Sequence, residues 1–186
     1  MSLRLSGGRR LQSPPGSTAR PTSSRVRLAV MNLLAAEVPD CAWLDLCSGS
    51  GVMACEALQR GARRVVAIEQ DRRIAAVARA NLAAVTGEAP LCWELHCREV
   101  GRWLARSAPA DRAAGEDFDL IYADPPYAAG LYDPIAAGVA AGAWLKPGGT
   151  LIWECASDAV PDVPAGWRLR DIRRYGGTTL VLLQQV

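Results

Sequence analysis

Residues 42–59 read Ala42-Trp43-Leu44-Asp45-Leu46-Cys47-Ser48-Gly49-Ser50-Gly51-Val52-Met53-Ala54-Cys55-Glu56-Ala57-Leu58-Gln59. The apolar run over 42–47 reads as a short strand, it stops at a glycine-rich turn, and 52–59 reads as a helix. The alternation then continues down the chain. A second strand at 65–68 closes on Glu69, a long Ala-rich helix covers 72–85, and a weaker third strand covers 91–95. A short helix at 99–106 and a polar loop at 107–117 lead into a fourth strand at 118–123. A helix near 134–144 and a strand at 150–154 follow. Two last apolar runs, 167–172 and 178–183, flank Gly176-Gly177 and read as an antiparallel hairpin or a pair of late strands. Upstream, residues 1–21 read as an extended arm with a short strand at 3–6, and 23–36 as a helix with Val26, Val30, Leu33 and Leu34 on one face. Strict β–α alternation predicts an α/β fold with a mostly parallel sheet, its last strand antiparallel, and helices on both faces.

The 186 residues are 50% hydrophobic and 22% charged, enough for one domain with a real core and too apolar for global disorder. Net charge is only +2, but it is unevenly spread. Residues 1–36 carry six arginines and no acid, for +6, whereas residues 37–186 carry 15 bases and 19 acids, for −4. The chain thus divides into a basic N-terminal arm and helix (1–36) and a mildly acidic body (37–186). Such an arm predicts an anionic partner, nucleic acid first, against the plainer reading of a solvated terminus. No apolar run approaches the ~18 residues of a membrane span, and no apolar segment of a secretory signal follows the basic start. A cytoplasmic protein without membrane contact is therefore expected. The six cysteines form no C-x-x-C pair and mostly sit in apolar runs, so buried thiols are expected rather than zinc or disulfides. His96, the one histidine, reads as a surface or strand-end residue, and the six tryptophans read as core.

In a parallel sheet, ligands bind beyond the carboxyl ends of the strands, where strand order reverses. Three loops fall there. The first, Asp45–Gly51, has two glycines that let backbone approach a ligand, and it opens a helix whose amides face that ligand. With Ala54 it also fits G-x-G-x-x-G/A, and Glu69 lies 20 residues after Gly49, where an acid on ribose hydroxyls belongs. The pair indicates a ribose-bearing cofactor without saying which; a turn that merely needs glycine is the plain alternative. Asp45 sits badly beside a pyrophosphate and suits a ligand with a cationic end, such as S-adenosylmethionine, unless it is a capping acid. The loop Asp124-Pro125-Pro126-Tyr127 is stiffened by its prolines. Asp124 and the Pro125 carbonyl can accept from an exocyclic amine, and Tyr127 offers a face for a base to stack on.

Together, D-L-C-S-G-S-G, I-E-Q-D and D-P-P-Y resemble the class I S-adenosylmethionine-dependent methyltransferases acting on exocyclic amines. The opening Gly7-Gly8 … Arg20-Pro21-Thr22-Ser23-Ser24-Arg25-Val26-Arg27 resembles, more narrowly, the D-type bacterial 16S rRNA guanine-N2 methyltransferases, which act on RNA of the small ribosomal particle. That likeness extends over nearly the whole chain. The resemblance implies a Rossmann-like class I methyltransferase sheet and S-adenosyl-L-methionine as methyl donor. It implies cofactor contacts from Asp45, Cys47, Ser48, Gly49, Ser50, Gly51, Glu69 and Asp71, with Glu99-Val100, or else the Cys97-Arg98 pair just before it, beside the adenine. It sets Asp124, Pro125, Pro126 and Tyr127 at the target base, and Arg9, Arg10, Arg20, Arg25 and Arg27 on the RNA. Cys47-Ser48 departs from the Phe-Ala or Tyr-Ala common before G-S-G, and the stretch between Gly8 and Arg20 is short. The implied partner is 16S rRNA or the assembling small ribosomal subunit, met by a monomer, with no metal involved.

Three rival readings stand beside this one. D-P-P-Y also serves adenine N6 and cytosine N4, in RNA or DNA, although the chain leaves no room for a separate DNA-recognition domain. A catalytically silent RNA-binding assembly factor could keep the fold, against which the intact Asp124, Tyr127 and glycine loop argue. A nicotinamide oxidoreductase would fit G-x-G-x-x-A but not Asp45. Arg168, Arg170, Arg173 and Arg174 either extend an RNA face or protect an exposed strand edge.

Overall fold

The computed structural model describes residues 3–14, 23–87, 92–105, 117–126 and 130–186. Seven strands form one sheet: β1 (Ala42–Leu46), β2 (Arg64–Glu69), β3 (Trp93–Cys97), β4 (Phe118–Ala123), β5 (Leu145–Ala156), β6 (Trp167–Tyr175) and β7 (Thr178–Gln185). Their order across the sheet is β3-β2-β1-β4-β5-β7-β6. Pairings from β3 through β5 are parallel, and β7 runs antiparallel to both β5 and β6. The expected α/β sheet with one antiparallel last strand is therefore what forms.

Among the described residues, five helices cover it: α1 (Ser24–Leu33), α2 (Val52–Gln59), α3 (Arg72–Thr86), α4 (Val100–Leu104) and α5 (Tyr132–Ala141). Strand residues alternate between two buried layers. Trp43, Val65, Leu120, Ile152 and Leu180 face α1, α2 and α3, whereas Leu44, Val66, Ile121, Leu151 and Val181 face α4 and α5. Burial on both faces is why these strands read as nearly continuous apolar runs. On the second face, Trp103 stacks on Trp144 with ring centroids 4.5 Å apart, and the Trp144 Nε1–H donates to the Leu104 carbonyl at 2.9 Å.

The N-terminal residues belong to the first layer. Leu3, Leu5 and Leu11 are buried with Val26, Val30 and Met31 of α1. In place of the expected strand at 3–6 there is a single antiparallel bridge between Arg4 and Arg10. Three element starts also shift by two residues or more from expectation. β3 starts two residues later than expected, and α5 starts at Tyr132, since Pro134 is tolerated in a first helical turn. β5 starts at Leu145 rather than 150, carrying Pro147-Gly148-Gly149 within a register shift opposite Phe118–Leu120. Among the described residues, no helix is long and apolar enough to cross a membrane.

Candidate active site

Strand order reverses between β1 and β4, so the loops after these two strands flank the crevice at the carboxyl edge of the sheet. The loop after β1 is tightly held. Cys47 adopts φ 61°, a conformation strained for a residue with a Cβ. The Ser48 amide donates to the Ile68 carbonyl at 2.8 Å, and the Gly51 amide to the Ser48 carbonyl at 2.8 Å. Gly51 has φ 74°, and a Cβ there would stand 3.2 Å from the Ala78 Cβ, so glycine is needed both for the turn and for the approach of α3. Gly49, at φ 55°, faces open space instead.

Two carboxylates shape this loop from below. Glu69, ending β2, accepts from the Gly49 amide and from the Asp71 amide, each at 2.9 Å. Each of its oxygens keeps acceptor capacity for a ligand hydroxyl. Asp45 is buried in β1 and accepts from the Ala54 amide at 3.0 Å, in the first turn of α2. Burial pushes both acids above the ordinary carboxylate range, and for Asp45 the carboxylates of Asp124 and Glu69 add to the rise. Burial, with Glu69 and Asp45 nearby, likewise lifts the Cys47 thiol to about 12, so it stays a thiol.

Across the reversal, β4 delivers Asp124, half-buried, followed by buried Pro125 and exposed Pro126. Tyr127 lies outside the described residues. The register Ala123↔Trp153 sets Asp124 next to Glu154 of β5. Glu154 is buried, accepts from the Tyr122 hydroxyl, and its own carbonyl accepts from the Tyr132 hydroxyl at 2.8 Å. Burial, with Asp124 as neighbour, raises its carboxyl to about 8. Sequence reading missed Glu154, although a lone acid inside the apolar run Leu151-Ile152-Trp153-Glu154-Cys155 signalled it.

Asp71 and Glu99 serve as helix caps. Asp71 accepts from the Arg73 and Ile74 amides at 2.7 and 3.0 Å, which holds its carboxyl below the usual range. Glu99 accepts from the Gly101 and Arg102 amides at 2.7 and 2.8 Å at the start of α4, and Val100 is buried behind it. Both caps stand at carboxyl ends of strands, on the rim of the crevice.

The arginines expected on RNA do not act as one group. Arg27 is buried, its Nε 3.7 Å from Glu56 and its Nη2 donating to the Arg4 carbonyl at 2.5 Å. That internal role removes it from the outer surface, so its expected contact with RNA is corrected to a structural one. Arg9 donates to the Ala84 carbonyl near the end of α3, at the amino edge of the sheet and away from the crevice. Arg10 and Arg25 are exposed, and Arg20 lies outside the described residues. Two buried polar residues missed in sequence hold the arm in place. Glu56 accepts from the Ser6 amide and hydroxyl at 2.8 and 2.7 Å. Asn81 exchanges two hydrogen bonds with the Gln12 backbone and donates to the Ser50 carbonyl at 3.0 Å, tying the arm to the glycine loop.

Comparison with known proteins identifies the family and the fold. The family model described as Conserved hypothetical protein 95 matches residues 5–184. Ribosomal RNA small subunit methyltransferase D of Escherichia coli K12 is 31% identical over 180 residues, covering 96% of this chain and 85% of that protein. The Haemophilus influenzae protein of the same name is 26% identical, covering 95% and 89%. Among solved structures, yhhF from Escherichia coli superposes with a TM-score of 0.81 at 28% identity, over 100% of this chain and 98% of that one. TrmN from Thermus thermophilus shares the fold at a TM-score of 0.64 and 26% identity, over 87% of this chain and 48% of its own. The chain belongs to the Conserved hypothetical protein 95 family, the same family as the ribosomal RNA small subunit methyltransferases D.

Proposed function

We propose that the protein transfers a methyl group from S-adenosyl-L-methionine to the exocyclic N2 amine of a guanine in small-subunit ribosomal RNA, acting as a cytoplasmic monomer. One observation carries the reading: the glycine loop after β1 and the Asp124-Pro125-Pro126 loop after β4 face each other across the reversal of strand order. The relatives named as rRNA methyltransferases supply the substrate class.

The residues present fit the proposed cofactor. Gly49 opens onto free space, Glu69 keeps lone pairs for ribose hydroxyls, and Asp45 is a buried acid crowded by like charges. A ligand with an ammonium and a sulfonium relieves that crowding; a pyrophosphate would aggravate it. When bound, S-adenosylmethionine supplies a methyl group already activated by its positive sulfur. The chain's own task is then alignment. Asp124 and the Pro125 carbonyl accept from the target amine and hold its nitrogen toward the glycine loop, while Pro125 and Pro126 fix the direction of those acceptors. Glu154 and Tyr122 brace the strand ends beneath Asp124. A guanine within RNA must be splayed from its stack to enter.

The test incubates the protein with methyl-labelled S-adenosylmethionine and small ribosomal subunits from a strain lacking the activity, then digests the RNA and identifies the labelled nucleoside. Label in N2-methylguanosine is expected. Label in N6-methyladenosine or N4-methylcytidine would replace the base assignment, and absence of label would overturn the enzymatic reading.

A further inference from the structure

Beyond the crevice, α1 and the end of β6 enclose an open groove of about 570 Å³, lined by Arg25, Leu28 and Asn32 from the helix and by Arg173 and Tyr175 from the strand. Its position follows from the pairing. Glu37, just past α1, binds Arg170 at 2.6 Å, and Arg170 also donates to Thr150 at 2.7 Å, near the amino edge of the sheet. Tyr175 pairs with Thr178, which in turn pairs with Ala156, the last residue of β5. Helix α1 therefore runs against β6, and Arg25 and Tyr175 stand at the carboxyl edge, the edge that carries Asp124. Three strand spacings separate β6 from β4, about 15 Å, a span of a few nucleotides.

The chemistry of the groove is one-sided. Among the described residues it is lined by two arginines and no carboxylate, although residues 37–186 as a whole carry a net −4. Arg173 gives its Nε to Asp171 at 2.9 Å, which uses one of five N–H donors. Leu28 is exposed to 45% and continues the apolar floor outward. Positive forks, an aromatic ring and an uncovered apolar floor match a single strand of RNA, whose phosphates need the cations and whose bases need the flat surfaces.

We infer that the α1–β6 groove binds the single-stranded RNA flanking the target nucleotide, with Arg25 and Arg173 on its phosphates and Tyr175 under a base. The inference rests on the RNA-methyltransferase reading and deepens it. It assigns to β6, in the acidic body, part of the grip that charge arithmetic places wholly in the arm.

The experiment compares the full-length protein with the Arg25→Gln/Arg173→Gln double variant, titrating fluorescent small-subunit rRNA fragments at several salt concentrations. Loss of two phosphate contacts should flatten the slope of log K against log salt by about 1.4 for a single strand. Tyr175→Ala should weaken binding about tenfold with the slope unchanged. Calorimetric binding of S-adenosylmethionine, unaltered in all variants, shows that the fold and crevice persist. An unchanged slope in the double variant overturns the inference. So does a loss of affinity for assembled subunits with none for naked RNA, which would assign the groove to a protein. Failure of the wild-type protein to bind S-adenosylmethionine would instead overturn the proposed function and leave the RNA result to stand by itself.

Discussion

Replacing Glu56 by alanine should free the N-terminal arm and destabilise the domain well beyond a typical surface change. Glu56 sits in the middle of α2 with its side chain 2% exposed, facing Arg27 at 5%. It alone accepts both Ser6 bonds, at 2.8 and 2.7 Å. Removing one partner of a buried ion pair leaves an uncompensated charge and costs about 3–5 kcal/mol. The Ser6 bonds add less, roughly 1 kcal/mol, because exposed Ser6 can turn to water. For a domain of this size, at about 2–4 °C per kcal/mol, the melting temperature should fall by roughly 8–24 °C. Limited trypsin digestion gives the local readout, since Arg9 and Arg10 follow the Ser6 anchor and should be cut faster. A paired replacement separates charge from anchoring. Arg27→Met with Glu56→Met removes both charges, so at least half of the lost melting temperature should return, while the arm stays open to trypsin without its Ser6 acceptor. A Glu56→Ala protein that melts within 2 °C of wild type, about the effect of 1 kcal/mol or less, would refute the reasoning. Equal trypsin resistance would do so independently.

Three further outcomes follow from the crevice. Asp124→Ala should abolish methyl transfer while S-adenosylmethionine affinity, measured calorimetrically, stays within a few fold; retained transfer would remove Asp124 from the reaction. Gly51→Ala should lower the melting temperature by several degrees and weaken cofactor binding, because a residue with a Cβ pays about 1–2 kcal/mol at φ 74° and must also displace Ala78. The ligand-free protein should lose stability as pH rises. Asp45, Glu69 and Glu154 all titrate above their unfolded values, so their contribution is fully present below the ordinary carboxylate range and is lost as pH climbs through the raised values, for Glu154 between about 4.5 and 8. Thermal melts from pH 5 to 8.5 should show the decline, and Glu154→Gln should flatten it; parallel profiles for the two proteins would count against the buried acid.

What could be read from the sequence was local. The strand, glycine turn and helix over residues 42–59 specify each other within a few residues, and Glu69 and Asp124 announce themselves as acids ending apolar strands. The start of β5 was hidden because Pro147-Gly148-Gly149 has the composition of a turn, and only its pairing with β4 keeps it in the strand. Glu56 and Asn81 were hidden for a different reason. Their partners Ser6 and Gln12 lie 50 and 69 residues away, and nothing in either segment names the other. Spacing gave a hint, since Glu56 follows Val52 by four and Asn81 follows Ala78 by three on inward-facing helical positions.

The same distinction limits what net charge can say. Charge arithmetic assigns +6 to the first 36 residues and so gives the whole RNA grip to the arm. Packing spends part of that charge elsewhere, since Arg27 is neutralised inside the domain and Arg9 is tied to the far edge of the sheet. Meanwhile Arg173, counted in the acidic body, lines a groove with Arg25 at the edge of the sheet that carries Asp124. Salt dependence of RNA binding should therefore follow the arginines that face the carboxyl edge, whichever segment supplies them. Substituting Arg9 should leave the salt slope nearly unchanged, whereas substituting Arg173 should reduce it by about 0.7. The opposite ranking would return the grip to the arm.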